Sequence, residues 1–173
     1  MTKPAADLFA PPEIPRLTIL GRDELFPVRR IFCVGRNYAA HAAEMGAEVD
    51  REAPFYFTKG HHAVAPSASV IAYPPGTQEY HFEFELVVAL ASDGFRVPVE
   101  SAGALIFGYG AGLDMTRRDL QQANRVKGRP WDTGKDVEQS CVLTGLTPAS
   151  DFTLASQRIM LKVNDETRQE AVL

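Results

Sequence analysis

Residues 80–90, Tyr-His-Phe-Glu-Phe-Glu-Leu-Val-Val-Ala-Leu, restrict the folds open to this chain more than any other segment. Their aromatic and β-branched side chains read as a strand. Successive strand side chains point to opposite faces, so His81, Glu83 and Glu85 share one face and Phe82, Phe84 and Leu86 the other. Glutamate is a poor strand former, and like charges on one face repel. Two acids on so apolar a strand ask for a compensating cation, and a divalent metal ion is the first expectation. The alternative is a solvated sheet face on which both acids merely meet water.

Other segments supply further strands. Residues 1–15 carry four prolines and two acids and are expected to wander until a first strand begins at 17–20. Residues 30–34 read as a short buried strand ended by Gly35, and 37–45 as a short helix stopped by Gly46. Strands are expected at 54–59 and 69–73, with loop between them. A helical turn fits 98–104, and the glycine-interrupted run 105–113 leads to Asp114. A helix over 116–126 is expected, with Thr116 as N-cap and Asp119 three residues on. Residues 159–163 and 167–171, joined through Asn164-Asp165, predict a hairpin. Strands dominate, helices are short and no βαβ rhythm appears, which gives an α+β class built on sheets. The chain ends inside the second arm of that hairpin, with nothing to pack against it, so a truncated product is expected.

The 173 residues suffice for one domain with a core. A net charge of -4 and no basic stripe argue against nucleic acid. The basic cluster Arg125-Val126-Lys127-Gly128-Arg129 reads as a solvated turn. Cys33 and Cys141 show no pairing framework, and Cys33 in its apolar run reads as an inert thiol. With no signal core and no membrane span, a cytoplasmic protein is expected.

Glu83, Glu85 and Asp114 form an all-oxygen set that suits Mg²⁺, Mn²⁺ or Ca²⁺. Asp114 alone also fits a helix N-terminal acid. His41 and Glu44, three apart on a helix, share a face, and a carboxylate beside an imidazole makes a general base; a surface pair is the plainer alternative. His81 faces the same side as the acids and fits a metal ligand, a group supporting the ligands from behind or a plain strand residue, of which the supporting role is expected. Lys59 and Lys135 suit a substrate carboxylate or plain surface charge. Residues 108–112 lack the pattern of a nucleotide loop, so close backbone packing is the expectation. Ser140-Cys141 shows no nucleophile elbow.

Together these motifs resemble the fumarylacetoacetate hydrolase family. The resemblance rests on Val34-Gly35-Arg36-Asn37-Tyr38-Ala39-Ala40-His41 with Glu44, on Phe57-Thr58-Lys59 and Glu83-Phe84-Glu85-Leu86, and on Leu113-Asp114-Met115-Thr116-Arg117-Arg118-Asp119. Lys127-Gly128-Arg129-Pro130-Trp131, Lys135 and Leu161-Lys162-Val163-Asn164 extend it, in matching order from about residue 29 to the end.

The resemblance implies a mixed β-sheet roll over 29–173, preceded by an N-terminal extension and first strand at 1–28, with the C-terminal part of the domain missing. It implies metal carboxylates at Glu83, Glu85 and Asp114, holding Mg²⁺ or Mn²⁺ and sometimes Ca²⁺. It implies a water-activating pair at His41 and Glu44, an active-site lysine at Lys135, and substrate contacts at Arg36, Lys59, Arg118 and Gln121. The implied activity is hydrolysis of a carbon–carbon bond in an acylpyruvate resembling fumarylpyruvate, in a cytoplasmic homodimer. Oxaloacetate decarboxylation, 2-oxo acid isomerisation and an inactive metal-binding fragment are the alternatives. The family's proline after the Phe57-Thr58-Lys59 lysine is Gly60 here, which predicts a looser loop.

Overall fold

The computed structural model describes residues 7–35 and 54–173. The helix expected over 37–45, with Arg36, His41 and Glu44, lies outside the described residues. The fold is α+β, a set of mixed strands with short helices.

The centre is β8 (Ile106–Asp114), flanked on one side by β7 (Phe84–Leu90) and on the other by β10 (Cys141–Leu143) and β11 (Thr147–Pro148), all antiparallel to it. Beyond β10 lies β5 (Val64–Pro66), which runs parallel to it. Smaller antiparallel pairs surround this sheet. They are β1 (Arg16–Thr18) with β2 (Leu25–Pro27), β3 (Ile31–Val34) with β4 (Tyr56–Lys59), β6 (Tyr80–His81) with β9 (Thr116–Arg117), and β12 (Arg158–Val163) with β13 (Glu166–Val172). The described helices are short: α1 (Val99–Ala102), α2 (Arg118–Val126) and α3 (Asp132–Lys135). No described helix is long and apolar enough to cross a membrane.

Glycines let β8 sit between so many neighbours. A Cβ on Gly108 would lie 2.4 Å from the Thr147 carbonyl oxygen, and one on Gly112 would lie 3.0 Å from both Leu143 and Val87. The close-packing expectation for 108–112 therefore holds. Leu17, Val28, Ala63, Ala89, Cys141, Leu143 and Leu146 pack into the core, with Phe26 and Phe107 stacked against it at 5.3 Å between ring centres.

Three expectations need correction. Residues 69–73 form no strand, and Val70 is 96% exposed. β-forming composition alone does not make a strand, and it is the unforeseen β5 that pairs with β10. Thr116 does not cap a helix. It pairs with His81 in β9, and its hydroxyl donates to the Asp114 carbonyl at 3.1 Å, so α2 starts at Arg118. The terminal hairpin forms as expected, with Asn164 (φ 49°) and Asp165 (φ 67°) in the left-handed turn that suits them. It does not stand alone, however: β12 lies against β7.

Candidate metal and substrate site

The strand expected over 80–90 is interrupted at Phe82 and Glu83, between β6 and β7. The interruption keeps register. His81 pairs with Thr116 and Phe84 with Leu113, which sets Glu83 directly opposite Asp114. The Asp114 N–H donates to the Glu83 carbonyl at 2.8 Å. Two residues further on, Glu85 pairs with Gly112, a position without a side chain. Facing side chains in such a pair are neighbours, so the acids cluster because of the register itself.

Glu83 and Asp114 are each 7% exposed. Buried carboxylates this close need cations, and two lysines and an arginine supply them. Lys135, 1% exposed in α3, places Nζ 2.6 Å from Glu83 Oε2 and 2.7 Å from Asp114 Oδ2. Its ammonium also lies 4.8 Å from the centre of the Phe57 ring. Arg118, the first residue of α2, donates from Nη2 to Glu83 Oε1 at 2.5 Å and from Nη1 to Gln121 Oε1 at 2.6 Å. One helical turn puts Arg118 and the buried Gln121 on the same face.

Lys59 is buried at the end of β4, 2.9 Å from Asp114 Oδ1. Its three N–H bonds are directed elsewhere, to the carbonyls of Met115 and Lys135 and to Ser140 Oγ. Asp114 Oδ1 thus has a neighbouring charge but no hydrogen-bond donor. Gly60 is anchored rather than loose. Its N–H donates to Asp136 Oδ1 at 2.7 Å, a bond that proline cannot make. His81 is exposed, and no described hydrogen bond or ion pair links it to the acids.

Burial would raise the Glu83 carboxyl, but Lys135 and Arg118 hold it down at about 2. Glu85 has the opposite balance. Burial and the charges of Glu83 and Asp114 push it up to about 8, and its carboxylate has no described cation in contact. Burial also raises Asp114, against the pull of Lys135 and Lys59. The Cys33 thiol is pushed up to about 12, chiefly by burial, which fits an inert thiol.

Among the described residues, no three His, Cys, Asp or Glu side chains converge tightly enough to hold an ion as they stand. Lys135 bridges Glu83 and Asp114 in their place. The donor set nevertheless fits a hard dication: three carboxylates on one cavity, one buried oxygen without a hydrogen-bond donor, and a third acid with no described cation in contact. All three acids line a cavity of about 1620 Å³, together with Lys59, Arg118, Gln121 and Lys135. Phe57 and Trp131, with ring centres 5.9 Å apart, line it too. A smaller hollow beside Gly21 and Gly145 holds no titratable side chain. Sequence reasoning missed Gln169, whose amide reaches the strand break; a neutral residue in a hairpin carries no chemical signal.

The sequence pattern of the family described as Fumarylacetoacetate (FAA) hydrolase C-terminal matches residues 30–173. The chain is 49% identical over 129 residues to a fumarylpyruvate hydrolase from a Ralstonia species, covering 73% of this chain and 67% of that protein. It is 37% identical over 147 residues to the oxaloacetate tautomerase YcgM of Escherichia coli, covering 84% and 67%. It therefore spans about two thirds of the length of these relatives. The crystal structure of fumarylpyruvate hydrolase from Pseudomonas aeruginosa, in complex with Mn²⁺ and pyruvate, superposes with a TM-score of 0.91 at 48% identity, covering 96% of this chain and 74% of that one.

Proposed function

Because the chain belongs to the fumarylacetoacetate hydrolase family, we propose that it is a divalent-metal-dependent hydrolase cleaving a carbon–carbon bond of an acylpyruvate, with fumarylpyruvate as substrate. The observation that carries this reading is the buried bridge Glu83–Lys135–Asp114 with Glu85 beside it. Similarity to the two fumarylpyruvate hydrolases supports the choice of substrate.

Glu83, Glu85 and Asp114 are the residues that would hold the ion, read as Mg²⁺ or Mn²⁺. When bound, it supplies Lewis-acid polarisation of the oxygens of a 2-oxo acid. By family resemblance alone, His41 and Glu44 are the pair that would take a proton from water, so that the hydroxyl adds to the distal acyl carbon. The bond from that carbon to the adjoining CH₂ breaks. Its electron pair stays with the pyruvate half as an enolate, and a proton delivered to the CH₂ completes pyruvate. Lys135, whose ammonium lies on the acids, would favour that negative charge. Arg118 and Gln121 present donors on the cavity wall. The saturated Lys59 serves this reading as a support for Asp114 rather than as a substrate contact. Family resemblance alone supports a role for Arg36, Mg²⁺ as the resident ion, a homodimer, and a cytoplasmic place in aromatic-compound breakdown.

The likeness to an oxaloacetate tautomerase favours a second reading, keto–enol interconversion or decarboxylation of oxaloacetate at the same site. Product analysis separates them. Purified protein with Mn²⁺ is expected to release fumarate and pyruvate in equal amounts from fumarylpyruvate. Turnover of oxaloacetate with none of fumarylpyruvate would replace the first reading by the second.

A further inference from the structure

The interruption between β6 and β7 leaves backbone groups that no described strand covers. Glu83 takes its hydrogen bond from Asp114 on one side. Peptide groups alternate direction along a strand, so the Phe84 N–H and the Phe82 carbonyl point the other way, toward an edge where a further strand would lie. Gln169 of β13 fills that place. Its Oε1 accepts from the Phe84 N–H at 2.8 Å, and its Nε2 donates to the Phe82 carbonyl at 3.3 Å. A side-chain primary amide thus stands in for the peptide group of a missing strand, across more than 80 residues of sequence.

We infer that Gln169 is a positioning residue for the metal carboxylates, acting through the backbone on either side of Glu83. The physical reason lies in what each side of Glu83 is asked to do. Its carboxylate must keep its place beside Asp114 against mutual repulsion, on a stretch of chain that belongs to no strand. Asp114 holds the backbone from one edge only. With the Gln169 amide on the other, Phe82, Glu83 and Phe84 are held from both edges, and the spacing of Glu83 from Asp114 and of Glu85 along β7 is set. Partners of this kind, one step behind the ligands, commonly govern metal affinity. The same contact ties the hairpin of β12 and β13 to the site, so the hairpin has a role there beyond packing on β7.

This assignment rests on the metal reading of Glu83, Glu85 and Asp114, and its test does not depend on turnover. Mn²⁺ affinity would be measured calorimetrically on the whole protein as wild type, Gln169→Leu and Gln169→Glu, each shown to be folded by its thermal transition. Exchange of the Phe84 amide proton would be followed in the same samples. Gln169→Leu is expected to bind Mn²⁺ roughly tenfold more weakly or worse, with faster exchange at Phe84. Gln169→Glu keeps an acceptor for Phe84 but loses the donor to Phe82, and should fall between the other two. A lowered thermal midpoint with Mn²⁺ affinity within twofold of wild type would overturn the assignment, because a merely structural residue behaves that way. If Gln169→Leu does not fold, Gln169→Glu decides: unchanged affinity refutes, weaker affinity supports. A wild type that binds no Mn²⁺ overturns the assignment. One that binds Mn²⁺ yet cleaves no acylpyruvate ends the proposed function and leaves Gln169 in place.

Discussion

Glu83, in the break between β6 and β7, stands opposite Asp114 of β8, and the Lys135 ammonium joins them at 2.6 and 2.7 Å. Removing that cation leaves two buried acids facing each other. Lys135→Met is expected to destabilise the metal-free protein by about 3 to 5 kcal/mol, the usual cost of breaking a buried ion pair from one side. Added Mn²⁺ should raise the thermal midpoint of the variant more than that of wild type, since a dication replaces the missing charge. Calorimetric midpoints with and without Mn²⁺ check this, and an unchanged metal-free midpoint would refute it.

Glu85 sets the pH behaviour. Its carboxyl is raised from 4.5 to about 8, so between those values the folded state holds a proton that the unfolded chain has released. Metal-free stability therefore falls as pH rises through this window. An ion taken up by Glu85 must displace the proton. About one proton should leave per Mn²⁺ bound near pH 6.5, and affinity should fall roughly tenfold for each pH unit below 8. Titrations in buffers of different ionisation enthalpy count the proton. A pH-independent affinity would contradict the assignment of Glu85 as a ligand.

Lys59 illustrates how far residue type alone can be read. Its ammonium is spent on Met115, Lys135 and Ser140 and stands beside Asp114. Lys59→Met should cost stability on the order of 3 kcal/mol and lower kcat, with KM for an acylpyruvate little changed. A rise in KM alone would return Lys59 to the substrate.

Much of this was legible beforehand, and what was not has identifiable causes. Alternation along 80–90 put Glu83 and Glu85 on one face, and Asn164-Asp165 marked the hairpin turn. Both are local signals. The break at Phe82 and Glu83 was hidden because the backbone partners that permit it, Asp114 and Gln169, lie far along the chain. The parallel pairing of β5 with β10 was hidden for the same reason. Thr116 has a capping pattern, but pairing with His81 overrode it. Lysine as a type does not distinguish a surface charge from a buried bridge; only the position of α3 against the acids makes Lys135 the latter.

The glycines of β8 are open to a direct steric test. Gly108→Ala would drive a methyl to 2.4 Å from the Thr147 carbonyl oxygen, a rigid backbone atom. A loss of about 1 to 3 kcal/mol is expected in denaturant unfolding, as for other overpacked sites. Gly103→Ala, which meets nothing within 4 Å, serves as the control and should be near neutral.

The most direct measurement is the initial rate of pyruvate release from fumarylpyruvate as Mn²⁺ is titrated into chelator-treated protein. The rate should be negligible without metal and should rise with occupancy of a single site. It should be absent at every Mn²⁺ concentration in Asp114→Asn. A rate unaffected by chelation, or one that Asp114→Asn retains in full, would contradict the account.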